Sequence, residues 1–194
     1  MKSVNLNLAS FLLLLAFVSP SVSAEDWTLQ RLMPLLAQVT QLQASFTETK
    51  TMALLKQPMV STGTLAYKKP DYVEKRVLSP QTSYFIVSGN DLTIGDAEKG
   101  ERKLVLFQYP FLEAFAEAMR ATLAGNIKTL KQFYDTELGG NAENWHLNLT
   151  PLDEEMLLYV KHIVIRGSGH HITQVETIET NDDRSVMTIN HSSE

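Results

Sequence analysis

From residue 42 onward the chain is a succession of short runs with period two, separated by turns too short for a parallel crossover, and this limits it to antiparallel sheet. Leu42, Ala44 and Phe46 alternate with Gln43, Ser45 and Thr47, and β-branched Thr continues to Thr51. Lys56-Gln57-Pro58 closes that strand, and Met59 to Lys68 forms the next, with Met59, Gly63, Leu65 and Tyr67 on one side of the pleat and Thr62, Thr64 and Lys68 on the other. Lys69-Pro70-Asp71 turns the chain into Tyr72 to Leu78; Thr82 to Ser88, Leu92 to Ile94 and Leu104 to Phe107 continue the series, with Ser88-Gly89-Asn90-Asp91 as a tight hairpin. After an interruption the strands resume at Phe133 to Leu138, Trp145 to Thr150, Tyr159 to Arg166, His171 to Glu179 and Ser185 to His191. The turns between them fall at Gly139-Gly140-Asn141, Pro151 to Glu155, Gly167-Ser168-Gly169 and Asn181-Asp182-Asp183. In Ile172 to Ile178 the apolar spacing slips from two to three, the mark of a bulge.

Two segments read as helices instead. Trp27, Leu32, Leu35, Leu36 and Val39 mostly fall at three- and four-residue spacings within Asp26 to Gln41, with Asp26 and Thr28 as candidate caps. Pro34 removes a donor inside this run and predicts a kink, or two short helices with Pro34 opening the second. Phe111 to Leu123 is helical, with Gly125 in the stop position and an apolar stripe of Phe111, Leu112, Phe115, Met119 and Leu123; Glu113, Glu117 and Arg120 face elsewhere.

An antiparallel sheet of about ten strands must curl to avoid flat exposed faces and edges. The stripes of two amphipathic helices find their one large apolar surface on its concave side. The predicted fold is therefore α+β: a curved antiparallel sheet forming an incomplete, half β-barrel covered by helices. If the helices fill the curve only partly, the remaining space suits hydrocarbon. Periodicity alone leaves a close-packed interior as the alternative.

The first residues read as an address. Lys2, the apolar run Phe11 to Val18 and the small residues Ser19 to Ala24 predict a cleaved secretory signal peptide over residues 1–24, leaving 25–194 as the mature chain. That portion contains no Cys, and it is long enough to bury a core without disulfides. With Lys2 removed from the 17 basic residues, 16 stand against 22 acidic ones, a net charge of −6 that speaks against nucleic acid as partner.

The chemistry of catalysis is hard to find. Five His residues show no metal-ligand spacing and lack a Cys to complete a zinc site. His170 and His171 follow a Gly-Ser-Gly turn, and as neighbouring strand residues their rings are expected to diverge. Gly167-Ser168-Gly169 is no nucleophile elbow, and the acidic pairs near Asp153 and Asp182 read as solvated turns. No polar pair is visible inside the expected cavity. The reading is of a non-enzyme with no metal and no cofactor.

The order "VTQLQASFTETK" (39–50), "STGTLAYKKPDYVEKRVLSP" (61–80), "YFIVSGNDLTI" (84–94) and "HITQVETIETNDDRSVMTI" (171–189) resembles the LolA-type periplasmic outer-membrane lipoprotein carriers over most of the mature chain. The resemblance implies one lipid-binding domain over 25–194, a monomer lidded by helices, with an apolar cavity for acyl chains. It implies lipid contacts at Phe46, Leu65, Tyr67, Phe85, Val87, Phe111, Phe115, Met119 and Leu123. It also implies a lid latch at Lys69, where the family carries an Arg before the Pro of a strand-to-strand turn; Lys lacks that planar fork. The implied partners are lipid or lipoprotein acyl chains, an inner-membrane transporter and an outer-membrane acceptor. Two alternatives stay open: a carrier for a glycolipid or polyene-lipid product of an accessory biosynthetic cluster, and a lipid-sensing protein-interaction module of an envelope-stress system.

Overall fold

The computed structural model describes residues 26–191, so the expected signal peptide lies outside the described residues. Eleven strands form one antiparallel sheet: β1 (Gln41–Thr51), β2 (Met59–Lys68), β3 (Tyr72–Ser79), β4 (Ser83–Ser88), β5 (Asp91–Asp96), β6 (Gly100–Val105), β7 (Tyr134–Asn141), β8 (Asn144–Pro151), β9 (Val160–Ser168), β10 (His171–Glu179) and β11 (Arg184–His191). Their order is β6-β5-β4-β3-β2-β1-β11-β10-β9-β8-β7, with β6 and β7 at the two edges, so the sheet curves without closing into a barrel. Between those edges the chain passes through a 3-10 turn, then helices α2 (Pro110–Ala124) and α3 (Ile127–Phe133). Helix α1 (Leu29–Leu36) precedes the sheet, and α4 (Glu154–Leu157) joins β8 to β9. The predicted half barrel with covering helices is the observed fold.

Local chemistry explains most boundaries. In α1, Leu29, Leu32, Met33 and Leu36 are buried at i, i+3, i+4 and i+7, and Thr28 occupies the cap position. Pro34 lies inside this single eight-residue helix, so the alternative of two helices falls. Helix α2 ends on Gly125, whose φ of 68° is left-handed and costs a glycine nothing. The slip in β10 is a bulge: register passes from Ile172 opposite Gly167 to Gln174 opposite Arg166. Thr173 is the extra residue, which places Ile172 and Val175 on the same side.

Three expectations need correction. The strand expected from Phe133 begins at Tyr134, because Ile127–Phe133 form α3, capped by the Asn126 side chain, which accepts from the Thr129 amide at 3.1 Å. The stretch Pro151 to Glu155 contains the start of α4, with the Asp153 carboxylate accepting from Met156 N at 2.9 Å. The turn expected at Gly139-Gly140-Asn141 is strand, and the chain reverses at Ala142-Glu143, where the Asn141 side chain accepts from the amides of Glu143 and Asn144.

The core lies on the concave side in two parts. One joins Leu32, Met33 and Leu36 of α1 and Ala114, Ala118 and Ala121 of α2 to Trp145, Leu147, Leu149, Ile163 and Ile165 of β8 and β9. The other joins Tyr67, Val73, Val87 and Leu92 of β2 to β5 with Leu106 and Ala116. Each fully buried aliphatic side chain contributes about 1.5–3 kcal/mol, which holds a helix as short as α1 that would not persist alone.

Candidate functional site

The inner face of the sheet is fixed by α2. Phe85 of β4 meets Phe115 of α2 edge to face, ring centroids 6.4 Å apart. Register carries that face across the strands: Phe85 stands opposite Lys75, Lys75 opposite Leu65, and Leu65 opposite Ala44. Phe46 lies two residues along from Ala44, opposite Gly63.

The strand residues expected to touch lipid, Phe46, Leu65, Tyr67, Phe85 and Val87, therefore share one face, and the expected contacts differ in how much of each remains open. Phe46, Tyr67 and Val87 are buried by the protein itself. Leu65, Phe85, Phe115, Met119 and Leu123 are half-buried. Phe111 lies in α2, and its side chain is outside the described residues. The difference follows from how α2 docks. Its deepest residues are Ala114, Ala116, Ala118, Ala121 and Thr122, not the large members of the expected stripe. Small side chains let the helix axis approach its neighbours closely, and Phe115, Met119 and Leu123 are left overhanging with apolar surface uncovered. Their spacing of four residues puts them on one line about 12 Å long. At its far end, Leu123 and Tyr67 line an open cleft of about 1510 Å³ that also involves Val39, Leu42, Lys68 and Ile172.

A polar group sits on the same face, contrary to the expectation that none would be found there. Lys75 Nζ lies 2.6 Å from Glu48 Oε2 and 5.1 Å from the centre of the Phe46 ring. Glu48 also accepts from the Ser185 hydroxyl at 2.6 Å and from the Ser61 hydroxyl at 3.4 Å. Burial pushes the Glu48 carboxyl up, but the charge and hydrogen bond of Lys75, with the two hydroxyls, more than offset it and hold it below the usual carboxylate value. Gly63 makes room for this arrangement. A Cβ there would lie 1.8 Å from the Arg76 carbonyl oxygen and 2.8 Å from Phe46 Cε1. The missing side chain lets strand and ring come together.

Two basic side chains hold the helices. Lys69 donates to the carbonyl of Ala37, the residue that ends α1. Arg120, read as facing away from the core, instead donates to the carbonyl of Gly89 in the β4–β5 turn and pairs with Glu117 at 2.7 Å, only 12% of its side chain being exposed. It ties α2 to the sheet. The expected divergence of His170 and His171 is also corrected: their ring centroids are 4.0 Å apart and His191 lies 4.9 Å from His171. His170 belongs to the turn and not to the strand, so strand alternation does not separate the rings. A ring nitrogen of His191 donates to the Ile172 carbonyl at 2.7 Å. Among the described residues, no three of His, Cys, Asp or Glu are placed to share a metal ion.

Residues 17–190 match the sequence model of the family described as outer membrane lipoprotein carrier protein LolA-like. No curated protein matched the chain. Among solved structures, the fold is similar to a LolA superfamily protein from Nitrosomonas europaea, 10% identical, covering 86% of this chain and 92% of that one at a TM-score of 0.46. A DUF1329 family protein from Desulfovibrio piger is 12% identical, with 82% and 89% covered at 0.43. A chain of the Pseudomonas aeruginosa MucA/MucB complex is 12% identical, with 84% of this chain and 54% of that one covered at 0.42.

Proposed function

Since the chain belongs to the LolA-like outer membrane lipoprotein carrier family, we propose that it is a periplasmic carrier that shelters acyl chains against the concave face of its sheet. The observation that supports this reading is the docking of α2 through alanines, which leaves Phe115, Met119 and Leu123 half-buried beside Leu65 and Phe85. Hydrocarbon laid along that line loses contact with water at a gain of about 0.8 kcal/mol per methylene. A carrier of this kind takes its cargo from an inner-membrane transporter and yields it to an outer-membrane acceptor that offers an equally apolar site. It performs no reaction and uses no cofactor. Lys69, bonded to the end of α1, is the proposed latch that keeps the helix over the sheet until transfer.

Phe115→Glu tests the reading. A carboxylate in the middle of the line removes apolar contact and must be desolvated beneath any tail, so uptake of a fluorescent fatty acid is lost. The protein stays folded, because the residue is half-buried and its pair with Phe85 contributes only about 0.5–1.5 kcal/mol. Ala114→Glu, one residue away but 2% exposed, abolishes folding instead. Unchanged loading of the Phe115→Glu protein contradicts the proposed site.

A further inference from the structure

The proposed acyl line ends beside a fixed positive charge. Lys75 is flanked across the strands by Leu65 and Phe85, two of the half-buried residues that would contact a tail, so an ammonium paired with Glu48 rises between apolar neighbours. Its side chain is 29% exposed, enough to meet a ligand while the stem remains packed. The Phe46 ring lies beneath it and Glu48 beside it, and both are held: Phe46 is buried against Gly63, and Glu48 is bound by Ser61 and Ser185. An ammonium carries three donors. Glu48 accepts one, and with the Phe46 face occupying another side, a donor remains for an oxygen arriving along the sheet. Glu48 keeps two hydroxyl donors, from Ser61 and Ser185, when one Lys75 donor turns to a ligand.

We infer that Lys75 is the anchor for an anionic head group, a carboxylate or a phosphate, at the end of an acyl chain whose tail runs beneath α2 toward Leu123. The inference rests on the carrier reading and narrows its cargo to anionic amphiphiles. A neutral wall would take any hydrocarbon; an ammonium set into that wall takes the chain in one direction, head at Lys75 and tail at the cleft. Phe46 and Gly63 are then parts of the head-group site rather than of the tail site. Glu48 is the competitor that the incoming anion displaces from one Lys75 donor, which keeps binding reversible.

Displacement of the neutral dye N-phenylnaphthylamine from the full mature chain tests this with three probes of one tail length: dodecanoic acid, dodecyl phosphate and methyl dodecanoate. The parent protein binds the two anions about ten- to a hundredfold more tightly than the ester, the worth of one hydrogen bond to a charged group. The stronger of the two anions distinguishes a free acid from a phosphate-bearing lipid as cargo. Lys75→Met retains the stem over Phe46 and reduces both anions to the level of the ester, whereas Lys75→Arg retains the preference. Glu48→Gln removes the competitor and tightens both anions without changing the ester, which provides a second reading should Lys75→Met fail to fold. Equal binding of acid and ester by the parent overturns the head-group assignment and leaves the carrier reading intact. Failure of all three probes to displace the dye overturns both.

Discussion

Gly63→Ala is the smallest change that reaches both the fold and the candidate site. The added Cβ would lie 1.8 Å from the Arg76 carbonyl oxygen, 2.8 Å from its carbonyl carbon and 2.8 Å from Phe46 Cε1. Two of these three atoms are backbone of the adjoining strand, where the β2–β3 register already shifts between Thr62 and Gly63. Rotating a side chain cannot relieve them, so β2 and β3 must separate or the ladder must break. Overpacking of this kind costs about 1–3 kcal/mol, and contact with backbone puts the substitution at the upper end. For a chain of this size about 3 kcal/mol lowers Tm by about 6–12 °C. Circular dichroism melts at fixed concentration measure the shift. Pairing the change with Phe46→Leu removes the softer contact and leaves the carbonyl one, so the double variant recovers little. A single variant melting within about 1 °C of the parent, or full recovery in the double, refutes the reasoning.

Acid stability draws on Glu48 and Glu176 among the carboxylates whose pKa is lowered, Glu74 and Asp96 being the others among the described residues. Burial raises the Glu48 pKa, but Lys75, Ser185 and Ser61 bring it below its ordinary value; for Glu176 the hydrogen bond from Arg184 comes first, and its pKa is lowered too. A depressed folded pKa gives stability that is present above the unfolded value, near 4.5, and is lost as pH falls through the folded one. Urea unfolding is therefore expected to be flat from neutral pH to about pH 5 and to weaken below it, with a shallower acid limb in Glu48→Gln; stability that rises on acidification contradicts the assignment. Lys69→Met removes one hydrogen bond to the end of α1, about 1 kcal/mol, and speeds stopped-flow release of a bound fatty acid about fivefold; an unchanged rate shows that Lys69 is no latch.

Most strands were legible because each alternating run is bounded by Gly, Pro, Asn or Asp, and β2, predicted from Met59 to Lys68, is found there; the strand expected at Leu104 to Phe107 is instead Gly100–Val105, followed by a 3-10 turn at Leu106–Gln108. The bulge in β10 was legible for the same reason, since a slip of one in a period of two has no other simple source. Helices α3 and α4 escaped because seven and four residues carry too little periodicity, although Asn126 and Asp153 are good caps in hindsight. What single runs could not supply is which face points inward, for that depends on pairing between distant segments. Glu48 and Lys75 were given no role, yet Glu48 is in phase with Ala44 and Phe46, and Lys75 with Val73 and Val77. Phase with a buried neighbour was the signal that could have found them. The alanines of α2 were passed over in favour of Phe and Met, because hydrophobicity identifies a stripe but says little about how closely a helix docks.

The central claim is that hydrocarbon lies between α2 and the inner face of the sheet, and a spin-labelled fatty acid locates it directly. With the label midway along the chain, methyl resonances of Leu65, Ile94, Met119 and Leu123 are expected to broaden, while those of Ile86 and Val186, on the opposite face by register, stay sharp. Broadening of Ile86 and Val186 to the same extent, or of neither group while the fatty acid is bound, contradicts the account.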